Sequence, residues 1–318
     1  MLKKQGTGEN MKKYAIGLDL GGTSCKGGVF SQEGELLKSF DFATDTSDQG
    51  SHILDQISEA VASAMRSMNI SEEGFLGIGL AVPGPVGPDG IVNGCVNLGW
   101  GPMDVSGQLS ERLSDVKVVV GNDANLAALG EDWQGAGRNY SSSVVVTLGT
   151  GVGGGLVSGG RLLTGAHGVA GEIGHLRVNS LEQQQCSCSG FGCLEQYASA
   201  PGFLRLANQL MEGQLPPDFT CQQLFDEAKA GDPVALQAVE LGCGYLAQGL
   251  QAIAVTFDPQ AFIIGGGVSK AGEFLLNIIR REYPRVAYYG CRDVEIVLAE
   301  LGNSAGIYGA AKTLLDSL

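Results

Sequence analysis

The chain has 318 residues, 44% of them apolar and 17% charged, and its 50 glycines gather in short clusters between apolar runs. This is the profile of a soluble globular protein long enough for two domains with a sizeable core. A net charge of −14 argues against nucleic acid or an anionic membrane as the main partner, so a polyanionic nucleotide would have to be met by glycine-rich backbone and a divalent cation. No apolar run approaches a membrane span, and the opening MLKKQGTGENMKKYAIG lacks an apolar signal region. A cytoplasmic protein is therefore expected, with Met11 as an alternative start and residues 1–10 as a disordered lead.

In chain order, Tyr14–Leu20 reads as a strand that meets Gly21-Gly22-Thr23, and strands over Cys25–Phe30 and Glu35–Ala43 follow. This is strand, glycine turn, strand: a hairpin rather than a βα unit. Ile53, Leu54, Ile57, Val61, Ala64, Met65 and Met68 share one face at helical spacing. Phe75–Val82 is a buried strand ending at Pro83-Gly84-Pro85, and Gly87-Pro88-Asp89-Gly90 is a turn. Asp104 caps a helix through Leu113, Val116–Val120 is a short strand, and Asn122-Asp123 leads into a helix over Ala124–Trp133. A strand over Ser143–Leu148, the run GTGVGGG and a strand over Leu156–Ser158 repeat the first hairpin, which suggests a duplicated architecture. Helices are expected at Pro201–Met211, Gln222–Ala230 and Pro233–Val255. A strand over Ala261–Ile264 then enters Gly265-Gly266-Gly267, followed by a helix over Gly272–Arg281, a strand over Glu295–Leu298 and a helix over Ala305–Leu314.

Five constellations carry chemistry, and each has a plainer alternative. In DLGGTSCKGG, Asp19, Gly21, Gly22, Thr23 and Lys26 combine a carboxylate able to hold Mg²⁺ through water, unobstructed backbone N–H groups, a hydroxyl and a cation. That set suits a phosphate; two glycines alone would mark an ordinary turn. Gly149-x-Gly151-x-x-Gly154 matches a dinucleotide fingerprint in form, but a strand follows where a helix would have to open, so NAD binding is rejected. The two Gly/Thr hairpins look instead like clamps on one polyphosphate, with Thr150 and Gly151 in the second. Asp123 is either a helix cap or a general base that accepts the proton of a sugar hydroxyl during phosphoryl transfer. Cys186, Cys188 and Cys193 lie close together with His175 upstream. Three thiols and an imidazole complete a tetrahedral zinc shell, a structural rather than a catalytic site; the plainer reading is free thiols and a core histidine. Glu172 and Glu195 are tied in sequence to these ligands and are either silent surface acids, a glycosidase pair or a fixed pair that accepts sugar hydroxyls. Cys25, Cys95, Cys221, Cys243 and Cys291 show no paired spacing and read as reduced thiols, mostly in the core.

From Tyr14 to the C-terminal helix the chain resembles the ROK sugar kinases of the actin-like ATPase superfamily. Asp19-Leu-Gly-Gly-Thr23 is similar to that family's first phosphate motif, Leu148-Gly-Thr-Gly151 to its second and Gly265-Gly-Gly267 to its adenosine motif. Pro83-Gly-Pro-Val86 and Asn97-Leu-Gly-Trp100 resemble its sugar loops, with Gly84 and Asn97 as contacts, and Asn122-Asp-Ala-Asn125 the segment carrying its catalytic aspartate. Gly171-Glu-Ile-Gly-His175 and Cys186-x-Cys188…Gly192-Cys193-Leu-Glu195 resemble its zinc and sugar signature. The resemblance implies an α/β, ribonuclease H-like fold of two lobes with an active-site cleft. A small lobe would span residues 11–121 with 305–318, and a large lobe, carrying the zinc loop, residues 122–304. It implies ATP and Mg²⁺ as cofactors, a structural Zn²⁺ on His175, Cys186, Cys188 and Cys193, and a homodimer. It also implies an ATP-dependent hexose kinase, first of all a glucokinase forming glucose 6-phosphate, with kinases for N-acetylglucosamine, N-acetylmannosamine, fructose or allose as alternatives. Asp123 would be the base, Asn122 a substrate contact, and Glu172, His175 and Glu195 would hold sugar hydroxyls. Ser189 departs from the family's glycine after the second cysteine, and Gly190 beside it is expected to supply the turn. The family also contains sugar-sensing repressors with an N-terminal helix-turn-helix; the short lead and acidic charge argue against that reading.

Overall fold

The computed structural model describes residues 13–318 except Pro88. The lead over residues 1–10, the alternative start at Met11 and the Pro88 position of the expected turn lie outside the described residues. The chain forms two compact units, the first ending at Asp123 and resuming at Ala310, the second running from Ala124 to Gly309.

In the first unit, β1 (Tyr14–Leu20), β2 (Ser24–Ser31), β3 (Leu36–Ala43), β4 (Phe75–Val82) and β7 (Val118–Asn122) form one sheet in the order β3-β2-β1-β4-β7. β1, β2 and β3 pair antiparallel through their hairpins, whereas β4 lies parallel to β1, and β7 parallel to β4. Parallel neighbours need a crossover; the one before β4 contains the helix Ile53–Ser67, which buries Ile53, Ile57, Val61 and Ala64 on one side. They meet Ile16, Leu18, Ile78 and Leu80 of the sheet in one core, each buried Ile, Leu or Val stabilising the fold by about 1.5–3 kcal/mol. A small hairpin of β5 (Val92–Cys95) and β6 (Trp100–Met103), absent from the sequence expectations, projects from the β4–β7 connection. Its strands are four residues each, too short for a period-two pattern to stand out. The side chain of Asp104 accepts from the Gly107 N–H and starts the helix Val105–Arg112, as expected. β7 begins and ends two residues later than the sequence suggests, so Asn122 closes the strand and Asp123 opens the helix Asp123–Gln134.

The second unit repeats this topology. β8 (Ser142–Leu148), β9 (Val152–Ser158), β10 (Arg161–Leu162), β11 (Ala261–Gly265) and β12 (Glu295–Leu298) run in the order β10-β9-β8-β11-β12, with β8, β9 and β10 antiparallel and β8, β11 and β12 parallel. The expected duplication therefore appears strand for strand. One boundary needs correction: GTGVGGG is not a long loop, because Val152–Gly155 belong to β9. A Cβ at Gly154 would sit 2.5 Å from the Ile173 side chain, and one at Gly155 would sit 2.4 Å from Ala128. These glycines admit close packing on both sheet faces rather than a flexible turn. The helices Ala200–Leu210, Cys221–Ala230, Pro233–Phe257 and Glu273–Val286 cover the sheet in a second core containing Phe203, Phe225, Phe262 and Tyr283. Among the described residues, no helix is long and apolar enough to cross a membrane.

Candidate functional site

In the first unit the parallel strands β1, β4 and β7 deliver their C-terminal ends to one edge of the sheet, the usual place for a ligand in an open α/β sheet. Asp19 lies at the end of β1, Gly84 just beyond β4, and Asn122 and Asp123 at the end of β7. Asp19 faces Lys26 across the hairpin. Burial first, then the charge of Asp123, raises the Asp19 carboxyl to about 6, with Lys26 opposing. The same Asp123 charge adds to burial in lifting the Cys95 thiol to about 11. Asp19, Cys95 and Asp123 thus share one electrostatic environment. The Gly21–Thr23 turn is closed by Gly21 N–H donating to the Ser24 carbonyl at 3.0 Å, and Thr44 Oγ1 donates to the Gly21 carbonyl at 2.8 Å. A Cβ at Gly22 would stand 3.1 Å from the Asn97 carbonyl, so the glycine turn and the exposed Asn97 turn lie side by side. Asn122 Nδ2 donates to the Gly84 carbonyl at 3.1 Å. A Cβ at Gly84 would lie 2.5 Å from the Gly94 carbonyl and 2.7 Å from Cys95 Sγ, which explains why that loop needs glycine. The structure therefore gathers Asp19, Gly21, Gly22, Thr23, Lys26, Gly84, Asn97, Asn122 and Asp123.

In the second unit the β8–β9 turn carries Gly149, Thr150 and Gly151, with the Gly149 N–H on the Gly151 carbonyl at 2.9 Å. β11 ends at Gly265. Gly266 follows at φ +84°, where a Cβ would sit 2.4 Å from the Leu148 carbonyl, so glycine is required on both backbone and steric grounds. Gly149, Thr150 and Gly267 line one cavity of about 390 Å³ together with Gln222, Phe225 and Lys270. Its lining is mainly apolar, which suits a flat ring system with a polar tail directed at the glycine turn. The helix Cys221–Ala230, whose N-terminus is closed by a capping box of Thr220 with Gln223, contributes Gln222 and Phe225 to this lining. Sequence reasoning missed Gln222, Phe225 and Lys270, and no local pattern marks them. Cys221 also lines the cavity, whereas Cys25, Cys95, Cys243 and Cys291 are buried.

His175, Cys186, Cys188 and Cys193 come together with all ligand atoms within 4.8 Å of one another, and Cys188 and Cys193 sulfurs are 3.6 Å apart. Neighbouring ligands of a tetrahedral site with metal–sulfur bonds of about 2.3 Å lie about 3.8 Å apart, so the set can hold a metal ion. Burial, then hydrogen bonds that the Cys193 thiol donates to Cys188 and Cys186, push it up to about 12; a cation seated among these sulfurs would take them as thiolates and release the protons. The loop closes by Cys186 N–H on the Gly190 carbonyl at 2.8 Å and Ser189 N–H on the Cys186 carbonyl at 2.9 Å. The expectation for Gly190 is corrected: Ser189 itself adopts φ +68°. Gly190 is needed for another reason, since a Cβ there would lie 3.2 Å from Cys188 Sγ and 3.5 Å from Cys193 Sγ.

Neither Glu172 nor Glu195 belongs to the metal-ligand set. Glu172 is exposed at the entry to the short turn Ile173–His175. Glu195 touches one member of that set, its Oε1 accepting from the Cys186 thiol at 3.6 Å. Its Oε1 also accepts from Ser187 Oγ at 3.0 Å, and its Oε2 accepts from the Val152 N–H at 3.4 Å. Oε2 also stands 2.6 Å from where a Gly151 Cβ would be. One carboxylate thus links the cysteine loop to the second glycine turn, a juxtaposition that sequence spacing does not reveal.

The ROK family profile matches residues 15–317. The chain belongs to the ROK family. A glucokinase of Halalkalibacterium halodurans is 37% identical over 309 residues, covering 93% of each chain. A ROK hexokinase of Thermus thermophilus superposes with a TM-score of 0.83 at 33% identity, covering 94% of this chain and 97% of that one. A ROK family glucokinase of Streptomyces griseus, solved with glucose and AMPPNP, gives a TM-score of 0.77 at 34% identity, covering 94% of this chain and 98% of that one. The fold is accordingly that of the actin-like ATPases, built on the two five-stranded sheets described above.

Proposed function

We propose that this ROK protein is an ATP-dependent hexose kinase that transfers the terminal phosphoryl group to the 6-hydroxyl of glucose. The observation that carries the reading is the placement of two carboxylates with different surroundings at one sheet edge: Asp19 beside the glycine turn and Lys26, and Asp123 beyond the Asn122–Gly84 hydrogen bond. Asp123, at a helix start where negative charge is favoured, accepts the proton of the sugar hydroxyl. The sugar oxygen forms its bond to phosphorus as the bond to the ADP oxygen breaks. Gly84, Asn97 and Asn122 are sugar contacts in this reading, and Glu172, His175 and Glu195 accept from or donate to sugar hydroxyls. The N–H groups of Gly21–Thr23, Thr150 and Gly151 meet phosphate oxygens, and the base of the nucleotide lies in the Gln222–Phe225–Gly267 cavity.

Mg²⁺ would be held by Asp19 through water and supplies positive charge against the phosphates. The raised Asp19 carboxyl beside Asp123 fits such a cation, which relieves like-charge repulsion there. Zn²⁺ on His175, Cys186, Cys188 and Cys193 supplies a structural closure: four protein ligands leave no place for a reacting water. The relatives named glucokinase support glucose over the N-acetylhexosamines, fructose and allose. A cytoplasmic homodimer completes the proposal, with sedimentation as its check.

An ADP-coupled assay over a hexose panel tests the substrate, and Asp123→Ala tests the mechanism. The expected result is glucose as the best substrate and a fall in kcat of about 10²-fold or more with glucose binding retained. Near wild-type turnover in Asp123→Ala removes the base assignment, and glucose binding without ADP release makes the protein a sugar sensor rather than a kinase.

A further inference from the structure

A second set of side chains surrounds the cysteine loop without belonging to its ligand set. Glu182 lies between His175 and Cys186 in sequence. Its Oε1 accepts from the N–H groups of Gln183 and Gln184 at 3.0 and 2.9 Å. Its Oε2 accepts from Tyr197 Oη at 2.5 Å and from Arg205 at 2.8 Å. The Glu182 and Arg205 side chains are 12% and 19% exposed. The Arg205 guanidinium lies 4.7 Å over the Tyr197 ring, which stacks on Tyr245 at 4.0 Å. Arg205 also donates twice to the Gln196 carbonyl. The Gln196 side chain accepts from the Cys193 N–H at 3.0 Å and donates to the Gln184 carbonyl at 2.9 Å. Asn179 Nδ2 donates to Tyr197 Oη at 2.9 Å.

We propose that Glu182, gripped by Tyr197 and Arg205, is a positioning residue that sets the shape of the cysteine loop and, through it, metal retention and hexose affinity. This rests on the metal and sugar roles proposed above. Between Asn179 and Gln185 the large apolar side chain is Leu181, and it is 80% exposed. Burial of apolar surface therefore does not hold this segment; the polar network does. The network reaches a metal ligand through Gln196 and Cys193, and it brackets Glu195 on both sides in sequence. Burial alone would raise the Glu182 carboxyl, but hydrogen bonds from Tyr197, the Gln184 backbone and Arg205, with the Arg205 charge, outweigh it and leave its pKa at about 2. A carboxylate with four donors does not turn with the solvent, so the loop it anchors has one backbone course.

The test compares Glu182→Gln with Glu240→Gln, which removes a different ion pair of the same unit, Arg281–Glu240. Zinc release from the purified protein to a chromogenic chelator is measured beside glucose and ATP kinetics. The expected result for Glu182→Gln is zinc release faster by about tenfold or more and a several-fold higher glucose KM, with kcat and ATP KM within about twofold of wild type. Glu240→Gln should match wild type in all of these. Equal zinc release and equal glucose KM in the two variants overturn the proposal, even if Glu182→Gln melts earlier. Tyr197→Phe, which removes one donor of the four, is read in the same way if Glu182→Gln fails to fold. Should the wild-type protein carry no zinc, the metal reading fails by itself. Amide hydrogen exchange over residues 179–186 then decides on Glu182: faster exchange in Glu182→Gln supports the proposal, and unchanged exchange overturns it.

Discussion

Asp19→Asn is expected to make the first unit more stable while removing the activity. Burial and the neighbouring Asp123 raise the Asp19 carboxyl from 3.8 to about 6. At 1.36 kcal/mol for each tenfold change in proton affinity, this places at most about 3 kcal/mol of destabilisation on the ionised folded form. The loss of a partner for Lys26 and the residual solvent contact of Asp19 bring the expected gain into the range of about 1–3 kcal/mol. The sign follows from proton linkage. Below 3.8 the group is protonated in folded and unfolded chains alike, and Asp19 contributes no penalty. Between 3.8 and about 6 the folded chain keeps a proton that the unfolded chain has lost, so stability falls as pH rises. Above about 6 the full penalty is present. Asp19→Asn should therefore gain most at pH 7.5 and only about 0.5 kcal/mol at pH 4. Trp100 is in the first unit and is 8% exposed, while Trp133 is in the second. Urea unfolding followed by Trp100 fluorescence in a Trp133→Phe background, without nucleotide or Mg²⁺, reports the relevant unit. A slope of about 2 kcal/mol per molar urea turns the expected gain into a midpoint shift of about 0.5–1.5 M. A variant no more stable than its parent at pH 7.5, or equally favoured at both pH values, would show that the carboxylate repulsion is not stored at Asp19.

Three further outcomes follow from the second unit. Cys188→Ser should lose the proposed zinc, measured by atomic emission, and raise the glucose KM or unfold the loop; full activity and stability in a metal-free variant would end the idea of a structural clip. Ser189→Gly should stabilise the loop by about 1 kcal/mol, because a left-handed φ of +68° strains serine and not glycine. Chelator-induced unfolding midpoints check it, and a lower midpoint in the glycine variant would contradict it. Gly151→Ala should displace the Glu195 carboxylate, which stands 2.6 Å from the added methyl, raising both glucose and ATP KM while the melting temperature stays within a few degrees. Unchanged KM values would mean that Glu195 is not needed where the structure puts it.

The glycine-turn hairpins and the cysteine loop were legible in the sequence because their signals are local. A period-two apolar run, a turn that needs glycine, and thiols two and five residues apart all report on neighbours along the chain. Asp104 as a cap and the register of Asp19 at the strand end belong to the same class. The sequence could not say that Gly153–Gly155 are strand rather than loop, because the reason is Ile173 and Ala128 pressing on them from elsewhere in the unit. Nor could it say that Ser189 would carry the left-handed turn itself: both Ser189 and Gly190 permit closure locally, and the sulfurs of Cys188 and Cys193 reserve the space at Gly190.

By itself, then, the sequence determined the order of strands and helices, the two phosphate-type turns and the candidate ligands of the metal. Tertiary structure decided which distant groups share an environment. Asp123 acts on Asp19 across the sheet edge, Gln222 and Phe225 close a cavity begun by Gly149, and Glu195 links the cysteine loop to the Gly151 turn. The physical reason is that hydrogen-bond periodicity and turn geometry are fixed within a few residues. Burial, charge coupling and steric exclusion depend on partners that only folding brings within a few ångströms.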